Sequence, residues 1–420
     1  MGLPYGRALL SHPVPGSEEV SLLHYTRYRI PLFFAVTTLY WFSLYTYAPF
    51  LAPYAESVGA SYRMIGWIAG SYGLSQLVLR IPIGMASDLL QRRKLFVVIG
   101  AVLASGAGIG LYLSTTPLAV LVFRFMSGVA ASMWVAYTVL YSSYFDSGDA
   151  PRAIAVINGF NALGQVSAIL TGGLLAQVLE PRVTFLLAAM GGALGSLLSL
   201  GIVETGGDRG SGAVLVRRFG SVIMHRSLLT VSGLAVLSQV ISFGTVFGFT
   251  PVAAKAIGAS SMQLSVLTTL SVLPSILAAP LSGTLFARTI GERATVAAGF
   301  SLFSVSAMLV PFAASVSVLY VLQLVGGFGR GMSFPLLMGL SIKSIEREAR
   351  ASAMGVFQAI YALGMFVGPV LVGVIGQSIG LAWGFVLTGV LGLCGAALSW
   401  LLLAKKQTDP EMSGVYSGRI

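Results

Sequence analysis

The sequence predicts an all-α membrane protein whose twelve transmembrane helices form two pseudo-symmetric six-helix bundles. Three observations support this prediction: the composition, the length of the apolar segments and an internal repeat. Of the 420 residues, 56% are hydrophobic and only 9% are charged, whereas soluble domains carry about 25% charged residues. Because so few charges cannot cover a surface exposed to water, most of the surface must face lipid.

Apolar segments of roughly 20 residues recur along the chain, which is the length that spans a bilayer core of about 30 Å. Backbone polar groups in lipid need internal partners, and these apolar runs are continuous rather than alternating, so the spans are predicted to be helices. We predict spans at 30–54, 62–86, 94–114, 117–142, 153–177, 183–203, 227–254, 262–286, 293–313, 316–341, 352–376 and 381–404.

The distribution of positive charge predicts the orientation of these spans. With a cytoplasmic N-terminus, 19 of the 25 lysines and arginines lie on the cytoplasmic side, three lie outside and three fall within spans. We therefore expect a multi-pass protein of the cell (inner) membrane with both termini cytoplasmic. The net charge of +11 is then a basic face against anionic lipid, and it does not indicate a nucleic-acid-binding surface.

The two halves of the chain resemble each other at an offset of 200 residues. Ala162-Leu163-Gly164 recurs as Ala362-Leu363-Gly364, and Gln177 recurs as Gln377. Repeated halves place a solute site at their interface, near the bilayer midplane. The predicted domains are a cytoplasmic N-terminal segment (1–29), an N-terminal bundle (30–203), a glycine- and arginine-rich cytoplasmic linker (204–226), a C-terminal bundle (227–404) and a cytoplasmic tail (405–420).

A family motif follows the second predicted span, where the sequence reads Gly84-Met85-Ala86-Ser87-Asp88-Leu89-Leu90-Gln91-Arg92-Arg93-Lys94. This resembles the G-x-x-x-D-R-x-G-R-R loop of the major facilitator superfamily. The first glycine, the aspartate and the two arginines match, while Leu89 and Gln91 depart from the usual arginine and glycine. A degraded copy follows the eighth predicted span, with Gly283 and Arg288. The resemblance extends over residues 30–404.

The resemblance implies a two-bundle secondary transporter that works by alternating access. It also implies that the motif aspartate helps to latch the cytoplasmic gate between spans two and eleven. A glycine in the motif would let another helix approach closely. We assign gating or coupling roles to Gly84, Asp88, Arg92, Arg93 and Arg80.

Three arginines, Arg80, Arg124 and Arg330, fall within predicted spans, whereas all 14 acidic residues fall at span ends, in loops or in tails. Ionisable groups at membrane depth are costly, so they are candidates for function. Arg124, followed by Gly128, resembles the arginine of the superfamily's span-four motif. Snorkelling of Arg80 towards the cytoplasm and a purely structural role for Arg124 are the alternatives. Buried cations without internal acids favour an anionic or zwitterionic solute, with Arg330 as its strongest candidate ligand.

A polar stripe runs along one face of span five, where Asn158, Asn161 and Gln165 recur at helical spacing. Amides that face lipid are unfavourable, so this face should point inward, either to line a cavity or to bond neighbouring helices. The candidate substrate-binding residues are Arg330, Arg124, Asn158, Asn161, Gln165, Tyr40, Gln239, Gln358 and Tyr361.

The sequence contains no phosphate-binding loop, no metal-ligand cluster and no nucleophile–base set, so we expect no enzyme activity, cofactor or metal. The predicted function is secondary active transport of a small organic solute, a metabolite or drug, by a monomer. The alternative is a multidrug efflux antiporter coupled to protons or another ion, although span five lacks the proline of the antiporter motif. More remote alternatives are a lipid flippase and a membrane sensor that transports nothing.

Overall fold

The computed structural model describes residues 17–145, 149–204, 224–346 and 349–403. Every regular element within these ranges is helical. The predicted N-terminal segment, central linker and C-terminal tail lie largely outside the described residues. The twelve predicted spans are confirmed as helices, and they form the two six-helix bundles that the sequence predicts.

The first bundle contains six helices, labelled here α1 to α6. They are α1 (Ser17–Tyr45, resumed after a turn as Leu51–Ser57), α2 (Tyr62–Leu90), α3 (Arg93–Leu113), α4 (Pro117–Ser142), α5 (Ala150–Val178) and α6 (Val183–Ser199). The second bundle contains α7 (Arg226–Ala256), α8 (Ser261–Thr289), α9 (Glu292–Phe312), α10 (Val316–Lys343), α11 (Arg350–Ile379) and α12 (Leu381–Leu402).

By length and composition, 8 of the described helices are long and apolar enough to cross a membrane on their own. The others are α1, α2, α6 and α10. Of these, α6 is apolar but shorter, and α2 and α10 carry the buried or half-buried arginines Arg80 and Arg330. Charge at membrane depth lowers the hydropathy of a span, so repeat symmetry and packing identify these helices more clearly than hydropathy does.

The repeat explains how α2 and α8 begin. Gly59 and Gly258 occupy equivalent turns with φ of 91° and 87°, a left-handed conformation that glycine adopts without a steric penalty. Two residues later, Ser61 and Ser260 cap the two helices, and Ser260 forms a capping box with Gln263. The recurring Gly-Ala-Ser sequence therefore encodes the same turn and cap in both halves.

The structure departs from the sequence prediction within several spans. The helix of α1 begins at Ser17 rather than at residue 30, and α4 is interrupted at Met133. The most consequential departure is in α7, where Ser242–Phe249 form a π-helix. Wide turns of this kind are rare and occur frequently at functional sites.

We call the end of the molecule that carries the α2–α3 loop, with Arg92 and Arg93, the basic end. At the opposite end the two bundles are in close contact. The Tyr62 backbone N–H of α2 donates to Gln377 Oε1 of α11 at 3.2 Å, and the Met262 N–H of α8 donates to Gln177 Oε1 of α5 at 3.2 Å. These repeat-related contacts join the bundles on both sides of the interface.

Glycines make this close contact possible. A Cβ on Gly66 or Gly73 of α2 would lie 2.5 Å from backbone atoms of Pro369 or Met365 in α11. In contrast, a Cβ on Gly84 would meet only the side chain of Val135, at an ordinary 3.5 Å. The predicted close approach at Gly84 is therefore not present, and the tight glycine packing of α2 lies nearer the opposite end.

Candidate substrate cavity

A cavity of about 230 Å³ lies at the interface between the two bundles, and we call it the main cavity. Its walls come from α1 and α5 of the first bundle and from α7, α8 and α10 of the second. Five predicted site residues line it: Asn158, Asn161, Gln165, Gln239 and Arg330. Asn158 is the lining residue of α5 nearest the basic end, and it is exposed. The cavity therefore opens towards the basic end and is closed at the opposite end.

Arg330 is held in this cavity by two serines. Its Nε donates to Ser275 Oγ of α8 at 3.3 Å, and its Nη1 donates to Ser242 Oγ of α7 at 3.1 Å. A Cβ on the neighbouring Gly331 would lie 2.5 Å from the Ser275 backbone oxygen, so this glycine lets α8 and α10 approach closely enough for the bond. No carboxylate in the described part of the chain pairs with Arg330, and its Nη2 has no bonding partner there.

The amide stripe of α5, formed by Asn158, Asn161 and Gln165, faces the main cavity. Of the two alternatives, it lines the cavity. Gln165 Nε2 donates to Asn161 Oδ1 at 2.5 Å, and Asn158 Nδ2 donates to the Ile154 backbone oxygen at 2.9 Å. These bonds stay within α5 and use only part of the bonding capacity of the amides. The remaining donors and acceptors are available to a polar solute.

Tyr40 does not line the cavity. Its side chain is 0% exposed, its ring stacks on Tyr137 with centroids 4.5 Å apart, and its hydroxyl donates to the Ala130 backbone oxygen. It is a core residue of the first bundle. The rotation of α1 about its axis, which sequence spacing does not fix, directs Tyr45 rather than Tyr40 to the cavity.

Arg124 lies in a separate space of about 10 Å³, called here the side compartment, which is lined by Leu44, Tyr45, Ala48, Tyr72, Arg124, Phe243 and Phe247. Tyr45, Phe243 and Phe247 also line the main cavity, so these three rings form a partition between the two spaces. The Arg124 guanidinium carbon lies 4.1 Å from the centroid of the Tyr72 ring. The two arginines therefore occupy neighbouring but distinct environments.

Arg80 connects the two bundles beside the main cavity. Its Nη2 donates to Gln76 Oε1 at 2.7 Å, and its Nη1 donates to the Tyr361 hydroxyl at 3.0 Å and to the Gln358 backbone oxygen at 3.4 Å. Two predicted substrate-binding residues, Gln358 and Tyr361, thus contact Arg80 from α11 and do not line the cavity. Arg80 is only 4% exposed, so it is integrated into the interface rather than snorkelling.

The motif loop forms a local structure within the first bundle. Asp88 Oδ1 accepts from Arg93 Nη2 at 3.1 Å, with no partner from α11 among the described residues. Gln91, at the position where the superfamily has glycine, adopts φ 51° and ψ 29°. Arg92 is exposed. In this conformation Arg80, and not Asp88, is the charged residue of α2 whose side chain bonds to α11 in the described part of the chain.

The site residues predicted from the sequence do not include four residues that shape the cavity: Ser242, Phe243, Phe247 and Ser275. Three of them lie in the π-helix of α7, and nothing in the hydropathy of that segment indicates a π-helix. Ser275 is reached through the close approach of α8 to Gly331, a contact that the sequence did not predict.

A second cavity of about 520 Å³ lies at the opposite end and contains none of the predicted site residues. It is lined by charged and polar residues that include Gln177, Glu180, Arg182 and Lys255. The Gln177 contact between α5 and α8 lies at its inner wall. We therefore regard it as a vestibule beyond the closed contact and assign the site to the smaller main cavity.

Two repeated six-helix bundles around a central polar cavity define a multi-pass membrane transporter. The model of the Major Facilitator Superfamily matches the chain over residues 33–232 and 231–415. The chain belongs to this superfamily, and its class is that of the secondary transporters.

Individual relatives and solved structures are similar at low identity. An uncharacterized MFS-type transporter of Methanocaldococcus jannaschii is 22% identical over 85% of this chain and 94% of its own length. The quinolone resistance protein NorA of Staphylococcus aureus is 28% identical over 41% of this chain and 43% of its own. A bacterial homolog of the human lysosomal transporter Spinster, inward-facing and unoccupied, superposes with a TM-score of 0.73 at 16% identity, over 90% of this chain and 96% of that one.

Proposed function

We propose that the protein moves a small organic solute with an anionic or zwitterionic group across the membrane by alternating access. One observation carries this proposal: Arg330 lies in the interfacial cavity without a carboxylate partner among the described residues, and its Nη2 has no bonding partner there. An anionic group would complete the bonding of the guanidinium. The amides of α5 on the facing wall would orient the rest of the solute.

Alternating access requires contacts that break and re-form at the two ends. The bonds of Gln177 and Gln377 would break when the opposite end opens. The contacts of Arg80 with α11 couple the bundles beside the cavity, and Asp88 would engage α11 when the basic end closes. We propose that the basic end faces the cytoplasm of the cell (inner) membrane and that the monomer is sufficient for transport.

A ligand-stabilisation screen tests the chemistry of the solute. Purified protein is melted in the presence of organic carboxylates or cationic dyes, because a ligand that binds the folded state raises its melting temperature. We expect carboxylates to stabilise the wild-type protein and the Arg330→Gln variant to lose that stabilisation. Arg63→Gln, which changes an exposed arginine at the opposite end, is the matched control and should retain it. Stabilisation by dyes alone would reject the anionic solute.

The second candidate is proton-coupled multidrug efflux, favoured by the partial similarity to a quinolone resistance protein. Such coupling needs a group that titrates at membrane depth. No Asp or Glu lines the main cavity in the described part of the chain. Transport that does not respond to an imposed pH gradient would exclude this candidate. A flippase would need a cavity open sideways to lipid tails, and the polar walls of the main cavity disfavour it.

A further inference from the structure

The positive charge of Arg124 has no carboxylate counter-charge among the described residues. Its side chain lies within α4 and is 7% exposed. The ion pairs Arg93–Asp88 and Lys343–Glu292 both lie near the basic end, away from Arg124. An isolated buried charge is strongly unfavourable unless it is paired or well bonded. Arg124 therefore needs an anion close by, and this need is separate from the binding of a solute in the main cavity.

The hydrogen bonds of Arg124 leave donors unused. Nη1 makes two long bonds, 3.4 Å to Ser127 Oγ and 3.5 Å to the Tyr47 hydroxyl. Nε is enclosed and has no acceptor, and Nη2 has no bonding partner among the described residues. The guanidinium stacks on Tyr72, which partly compensates for the charge but accepts no proton along these N–H bonds. An anion placed beside Nε and Nη2 would satisfy both.

Size decides which anion can occupy the side compartment. About 10 Å³ is open to the centre of a water-sized sphere, so the compartment holds one small species with little freedom to move. An organic solute that carries a carboxylate is too large for this space, whereas a monatomic anion is only slightly larger than water and fits. Apolar side chains of Leu44, Ala48, Phe243 and Phe247 form much of the wall, an environment that suits a weakly hydrated, singly charged ion.

We propose that the side compartment binds one halide ion, chloride in the cell, between Arg124 and the aromatic partition. The ion would enter from the main cavity when Phe243 or Phe247 moves. The bound halide neutralises Arg124 in the resting protein. Because the partition is shared by both spaces, occupancy of the side compartment stabilises the wall against which the transported solute packs.

Thermal unfolding of the purified full chain tests this site. Sodium gluconate is replaced by sodium chloride or bromide at constant ionic strength, and the melting temperature is followed. We expect a saturable rise of at least about 2 °C in either halide in Arg330→Gln, and a smaller rise in the wild type because gluconate is itself an organic carboxylate that Arg330 would bind. Arg124→Gln should abolish the rise. Ala48→Leu, which fills the compartment and keeps the guanidinium, should abolish it too. Arg330→Gln should show the full rise in melting temperature, because Arg330 lies in the main cavity, across the partition from the halide. The same substitution removes the group to which the gluconate carboxylate would bind.

The width of the chloride-35 resonance tests halide binding directly, without relying on the stability of the protein. The excess width of the chloride-35 resonance caused by wild-type protein should disappear with Ala48→Leu and persist with Arg330→Gln. The proposal is overturned if Arg330→Gln melts alike in chloride and gluconate and the wild type shows no excess width. It is also overturned if Ala48→Leu keeps both effects, or if Arg330→Gln alone loses them, since the halide would then bind in the main cavity.

Discussion

Replacing Gly66 by alanine should favour opening of the end opposite the basic end. The added Cβ would lie 2.5 Å from the Pro369 backbone oxygen. Ordinary contacts begin near 3.4 Å, so α2 and α11 would have to separate by about an ångström. Backbone cannot rotate away as a side chain can, and overpacking of this kind costs roughly 1–3 kcal/mol. The cost applies only where α2 and α11 touch, so the population of the open conformation should rise about 5- to 150-fold.

A buried reporter at the same end measures this shift. Ser265 of α8 is 0% exposed and packs against Gly173 of α5. In a protein whose exposed Cys394 is replaced by alanine, Ser265→Cys should react with a membrane-impermeant maleimide only when the bundles separate. The labelling rate should rise by the same factor in the Gly66→Ala variant. Gly339→Ala is the matched control, because a Cβ on Gly339 meets nothing within 4 Å. Equal labelling in all three proteins would refute the reasoning.

Two further substitutions probe the motif loop and the repeat. Gln91→Gly should relieve the strain of the left-handed backbone at φ 51° but lose the side-chain bond to the Asp88 backbone oxygen. The net effect should raise the free energy of unfolding by roughly 0.5 kcal/mol. A lower melting temperature of the variant would contradict this. Gln177→Ala and Gln377→Ala each remove one repeat-related contact of about 0.5–1.5 kcal/mol. Each should speed labelling of Ser265→Cys roughly 2- to 12-fold, and an effect of only one would show that the contacts are not equivalent.

Most of the fold follows from the sequence because membrane helices are specified by hydrophobic length and by a few backbone signals. Twelve apolar segments predict twelve spans, and the repeated Gly59 and Gly258 predict the same turn twice. The stripe of Asn158, Asn161 and Gln165 predicts one face of α5, because helical spacing alone determines which side chains lie together.

The remaining features of the site depend on small energy differences that the spacing of residues along a helix does not encode. The π-helix at Ser242–Phe249 inserts a wide turn into an otherwise ordinary apolar segment, and it brings Phe243 and Phe247 into the partition. The orientation of α1 about its axis buries Tyr40 and directs Tyr45 to the cavity. The resemblance to the superfamily implies Asp88 as the latch, whereas in the conformation described here the charged side chain of α2 that bonds to α11 is Arg80.

Solute exchange in proteoliposomes tests the central claim most directly. Vesicles containing the wild type, Arg330→Gln or Arg63→Gln are loaded with an organic carboxylate identified by the stabilisation screen, and uptake of the labelled compound is measured. The wild type and Arg63→Gln should exchange the carboxylate at similar rates, while Arg330→Gln should lose at least about 90% of the rate, because an unpaired ligand group typically costs 1.4 kcal/mol or more. Full exchange by Arg330→Gln, with normal insertion, would contradict the assignment of the main cavity as an anion-binding transport site.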